Sequence, residues 1–224
     1  LNKPQGVFVT ADTIFVCDTD QNRIVTFDRE GNFIKIIPQP KSSLFDENAV
    51  YKPVAIAVDD YNRLYVVSST TYQGIIVMTD EGEFTGFIGA QATTLSAWDI
   101  IWRRFQTDDQ KANSTQNVST EFNNITIDSD GFIYVTTSTI SDSMIQSQIL
   151  AKATDGTYMP VKKLNTSGDE IMARNGFWPP AGEIDIGNSY DEGYKGISQV
   201  TDVACGPEQT WTIVDAKRSK LYTH

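Results

Sequence analysis

The stretch Lys52–Gly89, KPVAIAVDDYNRLYVVSSTTYQGIIVMTDEGEFTGFIG, holds four short runs rich in Val, Ile, Tyr and Phe: VAIAVD, RLYVVSS, GIIVMTD and EFTGFIG. Turn formers fence the runs, namely Asp59-Asp60-Tyr61-Asn62, Thr71-Tyr72-Gln73-Gly74 and Asp80-Glu81-Gly82. Four β-strands with short turns make one antiparallel meander. Such a sheet cannot bury both faces by itself, so it requires neighbours of the same kind.

Imperfect copies of the unit supply them. Lys3–Ile37 repeats the order as KPQGVFVT, TIFVCDT, NRIVTFDREG and NFIKII, with Asp28-Arg29-Glu30-Gly31 standing where Asp80-Glu81-Gly82 stands in the second copy. The third copy reads EFNNITIDSDG, FIYVTTS, SQILAKATDG and TYMPVKKL, which makes TYMPVKKL its outer strand. A fourth reads VTDVACG, QTWTIVD and SKLYTH and lacks an outer strand. The units span 3–37, 52–89, 121–164 and 199–224, with insertions at 90–120 and 165–198. Gly6, Ala55, Asn124 and Asp202 fall at equivalent places in the four copies.

The shared pattern, Pro-x-Gly/Ala-Ile-x-Val-Asp, then Ile/Leu-Tyr-Val, then Arg-Ile-x-x-Phe-Asp-x-x-Gly, resembles the NHL repeat of β-propellers. The expected fold is all-β, a propeller of four-stranded antiparallel blades, about four in this chain with the last incomplete. A start without methionine and a stop in mid-blade suit a piece of a larger ring. Six blades is the working number for that ring, within the four to eight that propellers have. A secretion signal or anchor would then lie outside the segment.

Charge and residue types narrow the function. Asp and Glu number 29 against 18 Lys and Arg, a net charge of −11, and no basic run exceeds Arg103-Arg104. Nucleic-acid binding needs clustered cations to displace counterions from phosphate, so it is not expected. No run of about 18 apolar residues is present, so no membrane span is expected. The acidic turns read as hairpin chemistry. His224 is the only histidine and terminates the chain, which removes Ser–His–Asp triads, Cys–His nucleophiles and His-rich zinc sites from the segment. Cys17 and Cys205 sit on different strands and read as separate buried thiols.

In an up-and-down meander, the link from the second to the third strand and the link to the next blade leave from the same face. The long additions all fall there, so one face is elaborated and the other carries tight turns; binding usually resides on such loops. Within 90–120 the periodicity changes to 3.6. Ser96 caps a short amphipathic helix near 96–106, with Asp99 reaching back, and Trp98, Ile101, Trp102 and Phe105 form one apolar stripe. The stripe packs on the propeller as a lid, offers a partner-binding face, or lies at a membrane interface as its tryptophans and arginines suggest, a reading that Asp99, Asp108 and Asp109 on the polar face oppose. The later insertion, RNGFWPPAGEIDIGNSYDEGYKG, carries Phe177, Trp178, Tyr190 and Tyr194, aromatics that either pin the loop or stack on a sugar or peptide.

SAWDIIWRRF, EFNNITIDSDGFIYVTTS and RNGFWPPAGEI together resemble uncharacterised NHL-repeat proteins of the Gram-positive cell envelope. That resemblance implies an extracytoplasmic location and a binding or scaffold role without established catalysis. The leading expectation is a non-enzymatic propeller recognising a protein or glycan. Self-association through an exposed edge strand is a further expected contact. The alternative is a divalent-metal-dependent, gluconolactonase-like or lyase-like enzyme. Gluconolactonase-like propellers are similar in setting Glu, Asn and Asp at the channel mouth, where Asn124 and Asp202 would hold Ca²⁺, although Gly6 and Ala55 occupy the other equivalent positions. Without that ion, Asn124 and Asp202 are expected to hydrogen-bond the backbones of neighbouring blades.

Overall fold

A computed structural model describes residues 1–42, 50–71, 74–89, 122–140, 159–172, 199–217 and 219–224. The first sheet is β1 (Val7–Val9), β2 (Thr13–Asp18), β3 (Arg23–Asp28) and β4 (Phe33–Ile37), hydrogen-bonded in chain order. The second, in the same order, is β5 (Pro53–Val58), β6 (Leu64–Ser68), β7 (Ile75–Met78) and β8 (Phe84–Ile88). The third comprises β9 (Asn124–Ile127), β10 (Ile133–Thr136) and β11 (Val161–Leu164), and the fourth β12 (Val200–Cys205), β13 (Trp211–Asp215) and β14 (Lys220–Thr223). Every pairing within these sheets is antiparallel.

One strand differs from the sequence expectation. Val161–Leu164, expected as the outer strand of the third unit, pairs directly with β10, Ile133 opposite Leu164, and so takes the third place. The chain then turns at Asn165–Gly168, and a bridge from Leu164 to Glu170 begins the return. The stretch 165–198, expected as an insertion, therefore opens with a turn of the blade itself. The expected helix at 96–106 lies outside the described residues.

A single turn device recurs and explains the acidic turns. The Asp28 carboxylate accepts from the backbone N–H groups of Glu30 and Asn32 at 3.1 and 2.7 Å. Asp59 does the same for Tyr61 and Arg63, both at 2.9 Å. Asp128 repeats it with Asp130 and Phe132, and Asn165 with Ser167 and Asp169. The side-chain oxygen mimics a backbone acceptor and closes the turn. Gly31, Gly82, Gly131 and Gly168 follow three residues behind the turn's first residue with φ of 83 to 89°, a conformation that glycine adopts without a Cβ penalty.

Alternation along the strands builds the packing. On β6, Leu64 and Val66 point into a core shared with Phe15, Cys17, Ile24 and Ile37 of the first sheet. Tyr65 and Val67 point the other way, against Phe122, Ile125, Ile133 and Leu164. A third layer joins Tyr134 and Val161 to Val200, Val203 and Ile213. Full burial of each Leu or Ile is worth about 1.5–3 kcal/mol. The first strands β1, β5, β9 and β12 are successive neighbours in space, so the sheets stand around a common inner side as propeller blades do. The outer corners interlock as well. Lys35 of β4 bonds Asp80 at 2.9 Å, and a Cβ added at Gly82 would lie 3.2 Å from the Pro38 ring. Likewise, a Cβ at Gly168 would lie 2.6 Å from the Gly89 nitrogen.

Candidate functional site

The inner ends of the blades are shaped by bulges. The β5–β6 ladder shifts between Pro53 and Ala55, and the β12–β13 ladder between Val200 and Asp202, leaving Val54 and Thr201 outside the regular register. Such a bulge bends the strand and re-aims its groups. Thr201 O accepts the Asn123 side-chain amide at 2.5 Å, and Pro53 O accepts the Thr19 hydroxyl at 2.7 Å. Each bond stitches one sheet to the next. Asn123 Oδ1 is left buried without a partner among the described residues.

The four equivalent positions meet in pairs. A Cβ on Gly6 would lie 2.7 Å from Val54 O and 2.8 Å from the Ala55 Cα, so the first blade has no room for a side chain here. At the third and fourth blades, Asn124 Nδ2 donates directly to Asp202 Oδ1. The two side chains were expected to bond neighbouring backbones. They bond each other instead, while each also accepts the next residue's N–H at 2.7 Å, Ile125 on Asn124 and Val203 on Asp202. Gly6 and Ala55 offer no side-chain oxygen. Calcium takes six to eight oxygen ligands, of which these two side chains supply one carboxylate and one amide. Among the described residues, no group of three or more His, Cys, Asp and Glu is placed to hold a metal.

A second polar series was not recognised in the sequence. At the end of the second strand, Asp18 accepts from Asn2 N at 2.5 Å, Ser68 from Lys52 N at 3.0 Å, and Asp215 from Gln199 N at 3.2 Å. Asp18 and Asp215 are wholly buried and Ser68 nearly so. These side chains tie the segment leading into each inner strand to the neighbouring strand, on the same face as Asn124 and Asp202. The readable signal was a polar residue closing each second strand: VCD, VVS and IVD. Burial raises the carboxyl pKa of Asp18, but the Asn2 N–H and the Arg23 guanidinium, 2.8 Å away, overcome it and hold the group below the ordinary carboxylate range.

The long connections leave from this same face. They follow β4, β8, β10 and the third-sheet return, as the up-and-down order requires. Trp98, Trp102, Phe177, Trp178, Tyr190 and Tyr194 lie on them, outside the described residues. The opposite face carries the self-satisfied turns.

Both cysteines are free thiols. Burial pushes Cys17 up to about 12 and Cys205 up to about 11, while His224 stacks on Trp211 with ring centroids 4.7 Å apart. Because the thiolate is the reactive form, Cys17 in the native protein at pH 8 should react with a thiol reagent on the order of a thousandfold more slowly than an ordinary cysteine. Quantitative labelling should appear only on unfolding, and stopped-flow labelling with and without denaturant measures the difference.

The fold and its inner face define a β-propeller protein with antiparallel up-and-down blades. No protein-family model matches the sequence, and no curated protein is significantly similar to it. Solved structures share the architecture. A catalytically inactive virginiamycin B lyase from Staphylococcus aureus with quinupristin matches at TM-score 0.50 and 13% identity, covering 98% of this chain and 51% of that one. A gluconolactonase from Xanthomonas campestris matches at TM-score 0.51 and 15% identity, with 98% and 57% covered. Hydrazine synthase from Kuenenia stuttgartiensis matches at 0.50 and 12%, with 99% and 49% covered. The chain thus spans about half the length of these neighbours, and at such identities the likeness is one of fold. No helix among the described residues is long and apolar enough to cross a membrane.

Proposed function

We propose that the protein is a non-enzymatic binding propeller that recognises a protein or glycan on the face bearing its long connections. The observation carrying this reading is the state of the inner mouth. Gly6 and Ala55 are closed against each other, and Asn124 and Asp202 are engaged with one another, so these residues join blades. Recognition then falls to the connections around the mouth, with Trp98, Trp102, Phe177, Trp178, Tyr190 and Tyr194 as contact residues. The resemblance of the repeats to NHL proteins of the Gram-positive envelope supports an extracytoplasmic site of action and partners drawn from envelope proteins or cell-wall glycans.

Capture of cell-wall glycans and envelope proteins by the immobilised chain tests this, alongside the metal-dependent lactonase-like alternative. Trp98→Ala and Trp178→Ala should weaken capture, whereas Asp202→Ala should leave it intact. Calcium should not move the melting temperature. A specific ion at a hundred times its Kd would add about 2.7 kcal/mol, raising the melting temperature by roughly 5–10 °C in a domain of this size. Such a rise, abolished by Asp202→Ala and accompanied by lactone turnover, would establish the alternative.

A further inference from the structure

We infer that the tight-turn end of the seam between the third and fourth sheets is a binding site for an organic ammonium ion, which the Lys163 side chain fills until such a ligand displaces it. The turn at Asp128 differs from the others of its kind. At Asp28 the second carboxylate oxygen accepts the Asn32 amide at 2.8 Å, and at Asp59 it accepts Arg63 Nε at 2.6 Å. At Asn165 the side-chain amide donates to Asp169 at 3.0 Å. Each of these partners is the residue four places beyond the first of the turn. At Asp128 that residue is Phe132, which has nothing to donate. Asp128 Oδ2 is consequently buried without a hydrogen-bond partner among the described residues, on a side chain that is 5% exposed. A carboxylate so placed is costly unless a cation meets it closely.

Lys163 supplies a cation without closing that bond. Its Nζ stands 3.9 Å from Asp128 Oδ2, beyond the reach of about 2.9 Å at which a charge-assisted hydrogen bond forms. The same Nζ lies 4.3 Å from the Phe132 ring centroid and 5.1 Å from that of Tyr134. Trp211 of the fourth sheet adds a third ring, 5.7 Å from Tyr134. Aromatic rings around a positively charged nitrogen are the surroundings in which amines and quaternary ammonium ions are recognised. Lys163 also departs from its repeat. It pairs with Tyr134 as Val77 pairs with Tyr65 and Thr26 with Phe15, and both Val77 and Thr26 are buried. A lysine where packing alone is met by Val or Thr breaks the local rule, as functional positions do. Its side chain is 24% exposed, so the ammonium can swing out on its methylene stem while β11 stays in place.

The surrounding face favours the same ligand class. Its turns, at 10–12, 28–32, 59–63, 79–83, 128–131, 165–170 and 206–210, each carry at least one Asp or Glu, and they hold no cation besides Arg29 and Arg63. Such a field concentrates cations and repels anions. Buried carboxylate, rings and field together select a small alkylammonium ion, primary or quaternary. The site lies on the face opposite the long connections and is independent of recognition there.

Calorimetric titration of the protein with n-butylammonium and with choline at constant ionic strength tests the proposal, with sodium as the control. Lys163→Val installs the residue that the second sheet has at this place. Asp128→Asn keeps a turn that Asn165 already closes in this chain. Both variants should therefore fold, as circular dichroism and melting verify. Lys163→Val removes the tethered competitor and should bind n-butylammonium about tenfold more tightly than the wild type. Lys163→Ala, which leaves more room than valine does, should tighten binding in the same sense. Adding Asp128→Asn to either should reverse the gain. The proposal is overturned by an absence of binding in both Lys163 variants, by an affinity that both leave unchanged, by binding that survives Asp128→Asn, or by heats that sodium reproduces.

Discussion

Gly168→Ala should destabilise the protein by about 3 kcal/mol or more, while Gly31→Ala, at the same place in the same turn, should cost about 1 kcal/mol. The two glycines share their backbone, with φ of 88° and 86°. An L-residue held in that left-handed region costs about 1–2 kcal/mol, and this term is common to both variants. Surroundings separate them. A Cβ added at Gly31 would meet nothing within 4 Å, whereas one added at Gly168 would lie 2.6 Å from the Gly89 nitrogen and 2.8 Å from the Ile88 Cβ. Those neighbours are main chain and a β-branched stem, so neither can swing aside. Forcing an additional methyl into such a seam costs about 1–3 kcal/mol beyond the backbone term. Gly82→Ala should fall between, since its nearest contact is the Pro38 ring at 3.2 Å. Denaturant midpoints of the three variants measure the series. Equal losses from Gly168→Ala and Gly31→Ala would mean that the second and third sheets do not interlock at their corner.

The same seam shows how far the sequence could be read. The blade repeat was legible because alternation and Asp-x-x-Gly turns recur with little variation, and the register of the first two sheets follows them strand by strand. In the third copy the sequence offered two turns of similar appearance. Asp155-Gly156 has the acidic residue and the glycine of such a turn without the Asp-x-x-Gly spacing, whereas Asn165-Thr166-Ser167-Gly168 is the turn after β11, because an amide oxygen closes it as well as a carboxylate does. The equivalence of Gly6, Ala55, Asn124 and Asp202 was legible for the same reason as the fold. That Asn124 would reach Asp202 was not, since the approach across two blades depends on the bulge at Thr201, and a bulge leaves no mark in the hydrophobic pattern. The buried Asp18, Ser68 and Asp215 escaped notice because a polar residue closing a strand reads as the beginning of a loop.

Arg23→Met should cost about 3 kcal/mol at pH 7, the penalty for leaving a buried charge without its partner, and the loss should shrink in acid. The Asp18 side chain is fully buried, Arg23 is one-third exposed, and they meet at 2.8 Å. A surface pair would be worth less than about 1 kcal/mol, so the size of the effect reports the burial of the carboxylate. Asp18 also fixes Asn2 through its backbone N–H, and that bond remains in the variant. The pH dependence follows from the direction of the shift. In the folded protein the Asp18 carboxyl sits below its ordinary value, so as pH falls the unfolded chain takes up a proton first, near about 3.9. The stabilisation is therefore complete above that value and is lost as pH drops through the folded one. In Arg23→Met, burial is opposed mainly by the Asn2 N–H. The carboxyl should then rise, and the variant should tolerate protonation better than the wild type does. Urea unfolding of both proteins between pH 7 and pH 3 should show their stabilities converging. A constant gap would assign the loss to the packing of the Arg23 stem, whereas a gap that closes below about pH 4 would identify the buried ion pair as the bond that holds β2 to β3 at the elaborated face.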